Sequence, residues 1–384
     1  MHKNQKNLSM KKALLFCSVM MAGYFLNAQD IVAATGLTKG KIEFNDFRKI
    51  DVNNLSSSNI LLTKADKVNF ESMAADVTKV CSCGKYIAAM TASKDGSIFY
   101  IPMNGTKVSV INTSSKTGTL AEIPNSVMNS KDQATYYARM TTASDGFMYA
   151  LNNNGSELLK ISSNGNVQNL GGIALIAETG KAMGNETLVY GGDMIADAFG
   201  NIYAISASAH VFKINPKNLN TEYLGKINGL ADGYTVNGAA VMKDGNILLA
   251  TTSAYGLYTL DINTLEANFK SDYEVPVYDL SSPYFLRQNL MDELAAAPSN
   301  YSLYPTIVKN SELNIVSKSN ENSNLHVTVW NLNNKQIYSN ELNVNSIGDY
   351  KVSLNGSLQP GIYVLKATNQ EGNEVINTKF TLVR

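Results

Sequence analysis

Residues 145–161 read DGFMYALNNNGSELLKI, and this stretch recurs three more times along the chain. Its copies are DGSIFYIPMNGTKVSVI at 95–111, FGNIYAISASAHVFKI at 199–214 and DGNILLATTSAYGLYTL at 244–260. Each copy opens with a turn pair that ends in glycine, a residue that takes positive φ at no steric cost. An apolar strand, a spacer and a second apolar strand follow the turn. The chain therefore repeats a unit of antiparallel strands.

The repeat aligns in columns. Three residues after each turn begins stand Ile98, Met148, Ile202 and Ile247, and about sixteen residues after it stand Ile111, Ile161, Ile214 and Leu260. The copies begin at residues 95, 145, 199 and 244, so they are 50, 54 and 45 residues apart. This is the period of a four-stranded propeller blade. We predict an all-β fold with a propeller of five or six blades over residues 29–286.

Four clear copies leave both ends of this region unassigned. Residues 41–44 and 60–63 have strand character, as do residues 275–286. We expect the last strands to pair with the N-terminal ones and close the ring, because closure removes exposed sheet edges.

The last part of the chain has a different pattern. Short alternating strands, among them Glu312–Val316, Val327–Trp330 and Ile362–Ala367, are separated by turn residues. They predict a small Ig-like antiparallel β-sandwich over residues 304–384, after a linker at 287–303 with a short helix.

Two motifs in this tail resemble the type A C-terminal sorting domain of the type IX secretion system of Bacteroidetes-type bacteria. Residues 358–367, LQPGIYVLKA, are similar to the family's Leu-x-x-Gly-x-Tyr-x-x-Lys strand, and 331–335, NLNNK, to its Asp-Leu-x-Gly-Lys turn. The opening Tyr-Pro-Thr-Ile at 304–307 departs from the family's Tyr-Pro-Asn-Pro. The sorting-motif residues are Tyr304, Pro305, Pro360, Gly361, Tyr363 and Lys366.

This resemblance implies recognition by the outer-membrane translocon and sorting machinery, with the tail either cleaved or the protein anchored. The repeat region resembles secreted propellers of the NHL and YVTN-like groups. That similarity implies a fold and carries no activity.

The N-terminus fits export. Residues 1–28 have the basic start and apolar run of a signal peptide, with Met1 or Met10 as the start residue. We expect passage through the periplasm and outer membrane to the medium or cell surface, with no transmembrane span.

Removal of the four lysines of the signal peptide from the 32 basic residues leaves 28 basic against 32 acidic residues. This negative balance disfavours nucleic acid as a partner. Cys81 and Cys83 are either bonded or, as we favour, two small thiols in a strand.

Signatures of catalysis are missing from the sequence: it has no G-x-S-x-G, H-E-x-x-H or P-loop motif. Polar residues do stand in the columns expected to line the propeller channel. Arg139 and Asp193 lie six residues before the turns of their copies, and Asn237 lies seven residues before its turn. Other copies carry alanine or glycine at these positions. Buried charges are costly unless paired or solvated, so these residues either bridge blades or bind a ligand at the channel mouth. Asp193 with Asp197 is a weaker candidate for a calcium site.

Three functions remain open from the sequence. The preferred one is a non-catalytic module that binds an unknown extracellular glycan, peptide or surface partner and needs no cofactor. The alternative is a calcium-dependent propeller hydrolase or lactonase with Asp193 and Asn237 as metal ligands. The third is a structural surface protein whose channel is filled by its own side chains. Tyr136, Tyr137 and Tyr190, next to the channel columns, would suit sugar binding or packing between blades.

Overall fold

The structure is a computed structural model that describes residues 30–41, 43–52, 58–70, 78–79, 86–93, 95–174, 189–253, 256–273, 275–296, 300–309, 311–319, 321–354 and 358–383. The predicted signal peptide and Cys81 and Cys83 lie outside these residues.

The first 122 residues supply three strands of blade 1 and the whole of blade 2. These strands are β1 (Asp30–Gly36), β2 (Phe44–Asp51), β3 (Ser58–Thr63), β4 (Lys67–Phe70), β5 (Thr78–Lys79), β6 (Ile87–Ala92), β7 (Ser97–Pro102), β8 (Lys107–Asn112) and β9 (Thr117–Glu122). Strand β4 pairs in parallel with β9, so blade 2 is extended outward in the order β5-β4-β9-β8-β7-β6.

Blades 3, 4 and 5 are consecutive four-stranded antiparallel sheets. Blade 3 follows a 3-10 turn at Gln133–Thr135 and comprises β10 (Tyr137–Thr142), β11 (Met148–Asn152), β12 (Leu158–Ile161) and β13 (Val167–Gly171). Blade 4 comprises β14 (Asp193–Ala196), β15 (Ile202–Ile205), β16 (His210–Asn215) and β17 (Asn220–Lys226). Blade 5 comprises β18 (Gly238–Val241), β19 (Ile247–Ala250), β20 (Leu257–Asp261) and β21 (Glu266–Ser271).

Strand β22 (Val277–Ser281) closes the ring by pairing antiparallel with β1, which gives blade 1 the order β22-β1-β2-β3. The innermost strands β6, β10, β14, β18 and β22 contact one another in turn around the centre. Five blades are thus present in the described part of the chain, and the prediction of a closed propeller is confirmed.

The repeat columns form the layers between blades. The apolar residue three positions after the start of each turn is fully buried in every copy, as are Ile111, Ile161, Ile214 and Leu260 in the second strand. The turn glycines at 96, 146, 200 and 245 have φ of 83–86°, the left-handed conformation that their turns require. At Gly238 a Cβ would lie 2.7 Å from Leu280 Cγ, so only glycine permits this approach of β18 to β22.

A helix and two sheets follow the propeller. They comprise α1 (Gln288–Ala296), β23 (Tyr301–Tyr304), β24 (Ile307–Val308), β25 (Glu312–Ser317), β26 (Ser323–Asn331), β27 (Gln336–Val344), β28 (Gly348–Ser353), β29 (Gly361–Thr368) and β30 (Glu374–Leu382). A three-stranded sheet, β23-β25-β28, faces a five-stranded one, β24-β30-β29-β26-β27, across a single apolar core. The predicted sandwich is present, and β23 belongs to it.

Candidate functional site

Arg139 lies on innermost strand β10 and is 1% exposed. Its guanidinium donates to the backbone carbonyls of Gly191 at 2.8 Å and Asn152 at 3.1 Å, and also to that of Val189. Burial lowers the pKa of Arg139 to about 10, and the charge of Asp193 partly opposes this shift. The side chain therefore joins blade 3 to the segment that enters blade 4.

Asp193, the first residue of β14, is completely buried. One carboxyl oxygen accepts from the amide of Met194 at 2.7 Å. The other accepts from the amides of Ala239 at 2.7 Å and Leu280 at 3.1 Å, which lie on the innermost strands of blades 5 and 1. Burial raises the pKa of Asp193 well above its usual range, although these three amides and Arg139 act in the opposite direction.

Asp279 on β22 is a further buried carboxyl group at the centre. Counting back from the repeat turns did not predict it as a channel residue. Its Oδ2 accepts from the amide of Met90 on β6 at 2.9 Å, whereas its Oδ1 has no hydrogen-bond partner among the described residues. Burial and then the adjacent Asp193 charge raise the pKa of Asp279 well above its usual range. Because Asp193 accepts more backbone amides than Asp279, its ionised form is the better stabilised of the two.

Asp193 and Asp279 form what we call the central carboxyl pair. Through backbone amides it connects the innermost strands of blades 4, 5, 1 and 2. Hydroxyl groups add further links: Thr91 Oγ1 lies 3.0 Å from both Thr142 Oγ1 and Ser281 Oγ. The polar groups at the propeller centre thus bind protein partners on neighbouring blades.

Asn237 precedes β18 and is only partly buried. Its amide oxygen accepts from the backbone amide of Thr252 at 3.0 Å and from the Thr252 hydroxyl at 3.2 Å. It therefore orders the start of blade 5, and its oxygen is directed to Thr252 rather than to Asp193.

Asp197 follows β14, four residues after Asp193, so their Cα atoms are about 13 Å apart in an extended strand. Its carboxylate accepts from the amides of Phe199 at 2.9 Å and Asn201 at 2.8 Å, and from the Tyr203 hydroxyl at 3.1 Å. The structure thus separates the two candidate calcium ligands. Over the described ranges, no group of three or more His, Cys, Asp or Glu residues is placed to hold a metal ion.

Asp197 instead belongs to what we call the boundary cluster, formed with Lys213, Arg287 and Asp349 where the propeller meets the sandwich. Asp349, on β28, lies 2.9 Å from Lys213 Nζ and 2.7 Å from Arg287 Nη1. Arg287 Nη1 is 3.9 Å from Asp197. Burial favours the neutral acid, but the two cations prevail and lower the pKa of Asp349 to about 2.

Apolar contacts reinforce this boundary. Val316 of β25 is fully buried against Phe199 of the blade 4 turn, and Leu290 and Met291 of α1 pack beside them. The outer face of the three-stranded sheet therefore rests on the propeller, on the side where the glycine turns lie.

A cleft of about 620 Å³ opens next to the boundary cluster, between the turns of blade 5, α1 and the start of the sandwich. Its walls include Asn246, Asn263, Tyr284, Asp292 and Tyr304. The Tyr304 hydroxyl donates to Asn263 Oδ1 at 3.2 Å, and its ring lies 5.6 Å from the Arg287 guanidinium carbon. Both domains therefore contribute to the cleft.

Two of the tyrosines next to the channel columns, and the buried His210, have structural partners. The buried Tyr137 hydroxyl donates to Glu157 at 2.6 Å, and the Tyr136 hydroxyl donates to the carbonyl of Ser130 at 2.6 Å. His210 Nδ1 lies 2.9 Å from the Tyr223 hydroxyl, and burial lowers the pKa of this histidine.

The predicted sorting residues occupy two places in the sandwich. Tyr304 ends β23 and Pro305 follows it, whereas Pro360 precedes β29, the middle strand of the five-stranded sheet. Tyr363 points into the core, where its ring stacks on Phe380 with centroids 5.6 Å apart. Lys366 points outward and lies 3.6 Å from Glu374. Gly361 begins β29.

No protein-family model and no curated protein matches this chain. Solved structures that resemble it include PorZ, a surface component of the type IX secretion system of Porphyromonas gingivalis, at 12% identity and a TM-score of 0.34. That match covers 92% of this chain and 51% of PorZ, so the chain spans about half the length of PorZ.

Two further structures show comparable similarity. Virginiamycin B lyase from Staphylococcus aureus has 11% identity and a TM-score of 0.34, with 93% of this chain and 97% of the lyase covered. A protein of unknown function from Bacteroides thetaiotaomicron has 16% identity and a TM-score of 0.39, with 66% of this chain and 62% of that protein covered. Similarity at this level assigns neither a ligand nor an activity.

Proposed function

We propose that this protein is exported through the type IX secretion system and acts outside the cell as a non-catalytic binding module for a glycan or peptide. The observation that carries the binding role is the cleft of about 620 Å³ whose walls come from both the propeller and the sandwich. We place the ligand there rather than at the channel mouth suggested by the sequence columns.

The chemistry of the cleft suits such a ligand. Amide and carboxylate side chains can pair with the hydroxyl groups of sugars or with peptide groups, and tyrosine rings offer apolar faces for stacking. Asn246, Asn263 and Asp292 supply the polar groups, and Tyr284 and Tyr304 the rings. Charged side chains also line the cleft, among them Lys243, Asp244 and Asp261, so a ligand that is rich in hydrogen-bonding groups fits it better than an apolar one.

The central residues support a role without catalysis. Arg139 and Asp193 are buried and bind backbone groups, and the Asn237 oxygen binds Thr252. A calcium-dependent hydrolase would need the Asp193 and Asn237 oxygens for its metal. Their present partners instead hold the blades together.

The binding site can be tested with glycan and peptide arrays probed by the full-length protein, since the cleft needs both domains. Asn289 is exposed and lines the cleft, so Asn289→Arg should abolish binding of the array hits by filling it. Gln370→Arg, at an exposed amide in a separate groove of the sandwich, is the matched control and should bind normally. Equal loss in both variants, or in neither, would refute the cleft as the site.

The export role rests on the sorting motif in the sandwich and is tested by deletion. Removing residues 300–384 should leave the protein in the periplasm of a host with type IX secretion, as shown by cell fractionation. Unchanged surface or medium levels would refute this role.

A further inference from the structure

The two outer faces of the sandwich have different surroundings. The face of the three-stranded sheet rests on the propeller through Val316 and Asp349. The outer face of the five-stranded sheet lies on the opposite side of the sandwich core, because the two sheets enclose that core between them. A partner can therefore reach this second face while the propeller remains docked.

Three large apolar side chains are exposed on this second face: Leu332 is 64% exposed, Ile307 62% and Ile362 46%. Strand register places Ile307 and Ile362 in one row. Ile362 of β29 is paired with Thr381 of β30, which is paired with Ile307 of β24. We call these three side chains the apolar strip.

Leu332 lies beside this row, as the first residue of the turn that follows β26. Its neighbour Asn331 ends β26 and pairs with Tyr363, the residue after Ile362. The neighbouring row holds Trp330, paired with Val364, and the Trp330 indole donates to Thr328 Oγ1 at 3.0 Å. The strip crosses the sheet from β24 to the end of β26, and the spacing of these four adjacent strands makes it about 14 Å long. Solvent-exposed apolar groups gathered in this way mark interaction surfaces more often than isolated ones do.

Lysines surround the strip. Lys379 is exposed and paired with Val364, Lys309 is exposed two residues after Ile307, and Lys335 is exposed in the turn after Leu332. This positive border complements carboxylates on a partner. Anionic membranes are usually bound by clusters of about four to eight Lys or Arg residues, more than this border offers.

The size of the strip is also informative. Together with the neighbouring row of Trp330 and Val364, the strip covers on the order of 100–200 Å², whereas a stable dimer buries about 800 Å² on each subunit. The strip therefore fits brief recognition by another protein better than permanent association between copies of this chain.

We propose that the apolar strip and its lysines form the surface by which an export component, carrying an apolar patch bordered by carboxylates, recognises the sandwich. This inference rests on the proposed export function and identifies the surface responsible.

The test uses the full-length chain in a host with type IX secretion. The double variant Leu332→Ser with Ile362→Ser, and separately Lys379→Glu, should reduce the exported fraction by about tenfold or more with periplasmic accumulation, the loss expected for about 1.4 kcal/mol of binding energy. Lys379→Arg should be exported normally. The control variant Ile60→Ser with Phe269→Ser removes apolar groups that are 50% and 56% exposed on the propeller, and should also be exported.

Unchanged melting curves of the purified variants exclude misfolding as the cause. Normal export of the double variant, together with a block on deletion of residues 300–384, would overturn this inference and leave the proposed function standing. Normal export of the deletion variant would instead refute the proposed function.

Two further measurements separate the other occupants of the strip. The purified protein should be monomeric by light scattering and should not sediment with phosphatidylcholine vesicles that contain one quarter phosphatidylglycerol. Vesicle binding, or a dimer, that is lost in the double variant would overturn the inference in favour of a bilayer or a second copy.

Discussion

The propeller centre and the propeller–sandwich boundary both bury aspartates, yet the central carboxyl pair and Asp349 at the boundary respond to burial in opposite ways. Asp197, also at the boundary, has its pKa raised by burial. In the central carboxyl pair, burial raises the pKa of both acids well above the usual range. In the boundary cluster, Lys213 and Arg287 lower the pKa of Asp349 to about 2 despite its burial. Backbone amides alone do not compensate a second carboxylate, whereas two cations keep one ionised. The central pair is therefore held by hydrogen bonds to backbone amides, whereas Asp349 is held by ion pairs.

The largest expected effect is at the centre. Asp193→Ala would leave the amides of Ala239 and Leu280 without their acceptor and the buried Arg139 without its nearby acid. We expect a loss of about 3–5 kcal/mol in the free energy of unfolding, measured by chemical denaturation. The exposed Asp232→Ala should change it by less than about 0.5 kcal/mol. A small loss in Asp193→Ala would mean that water replaces the carboxylate as the acceptor for these amides.

The boundary should show a smaller loss. Asp349→Ala removes the partner of Lys213 and Arg287 and should cost about 1.5–3 kcal/mol, the range for hydrogen bonds to charged groups. Because the cluster joins two domains, the same variant should also be cut faster by protease within residues 287–303. Protection equal to that of the wild type would show that the Val316–Phe199 contact alone holds the sandwich in place.

The opposite pKa shifts predict opposite responses to pH. The raised pKa values of the central carboxyl pair give stability that is present below the unfolded pKa of about 4 and is lost as pH rises through the folded values, by at most about 1.4 kcal/mol per pH unit per proton. Asp349 gives stability that is present above pH 4 and lost as pH falls towards 2.

Asp279→Asn separates the two contributions. It replaces the acid with a neutral group of the same shape, so the decline in unfolding free energy above about pH 4 should flatten, as measured by denaturation at a series of pH values. A decline as steep as in the wild type would refute the raised pKa of Asp279 as its cause.

The smallest effect is expected for an ion pair at the exposed rim of the boundary. Lys351 Nζ lies 2.7 Å from Glu222, and both side chains are more than 40% exposed. Lys351→Ala should therefore change the unfolding free energy by only about 0.2–1 kcal/mol. A loss as large as that of Asp349→Ala would show that the rim and the buried cluster act as one network.

The sequence predicted the parts of the fold that repeat. Ile98, Met148, Ile202 and Ile247 stand in one column because each packs at the same level of its blade, and all are fully buried. Ring closure also followed from the sequence, since strands without a blade of their own stood at both ends of the repeat. The exact number of blades did not follow from the sequence, which left five and six open. Blade 1 has no turn of the repeating type between its innermost strand β22 and the next strand β1.

The same discontinuity explains why Asp279 was missed. The channel columns were counted back from each turn, and β22 is followed by the segment leading to α1 instead of a turn into blade 1. Arg139 and Asp193 were found because their blades are continuous. The boundary cluster had no sequence signal, since Lys213 and Arg287 are distant in the chain from Asp349 and come together only when the sandwich docks.

Closure of blade 1 by strands from opposite ends of the propeller sequence also delays the pairing of β1 with β22 during synthesis. After β1 leaves the ribosome, about 240 residues must follow before β22 can pair with it. At about 5–20 residues per second this takes about 12–48 s, during which one edge of β1 has no partner. A newly made chain must therefore be kept from joining its neighbours by that edge until synthesis reaches Ser281. Factors that hold unfolded chains should accordingly bind its N-terminal strands.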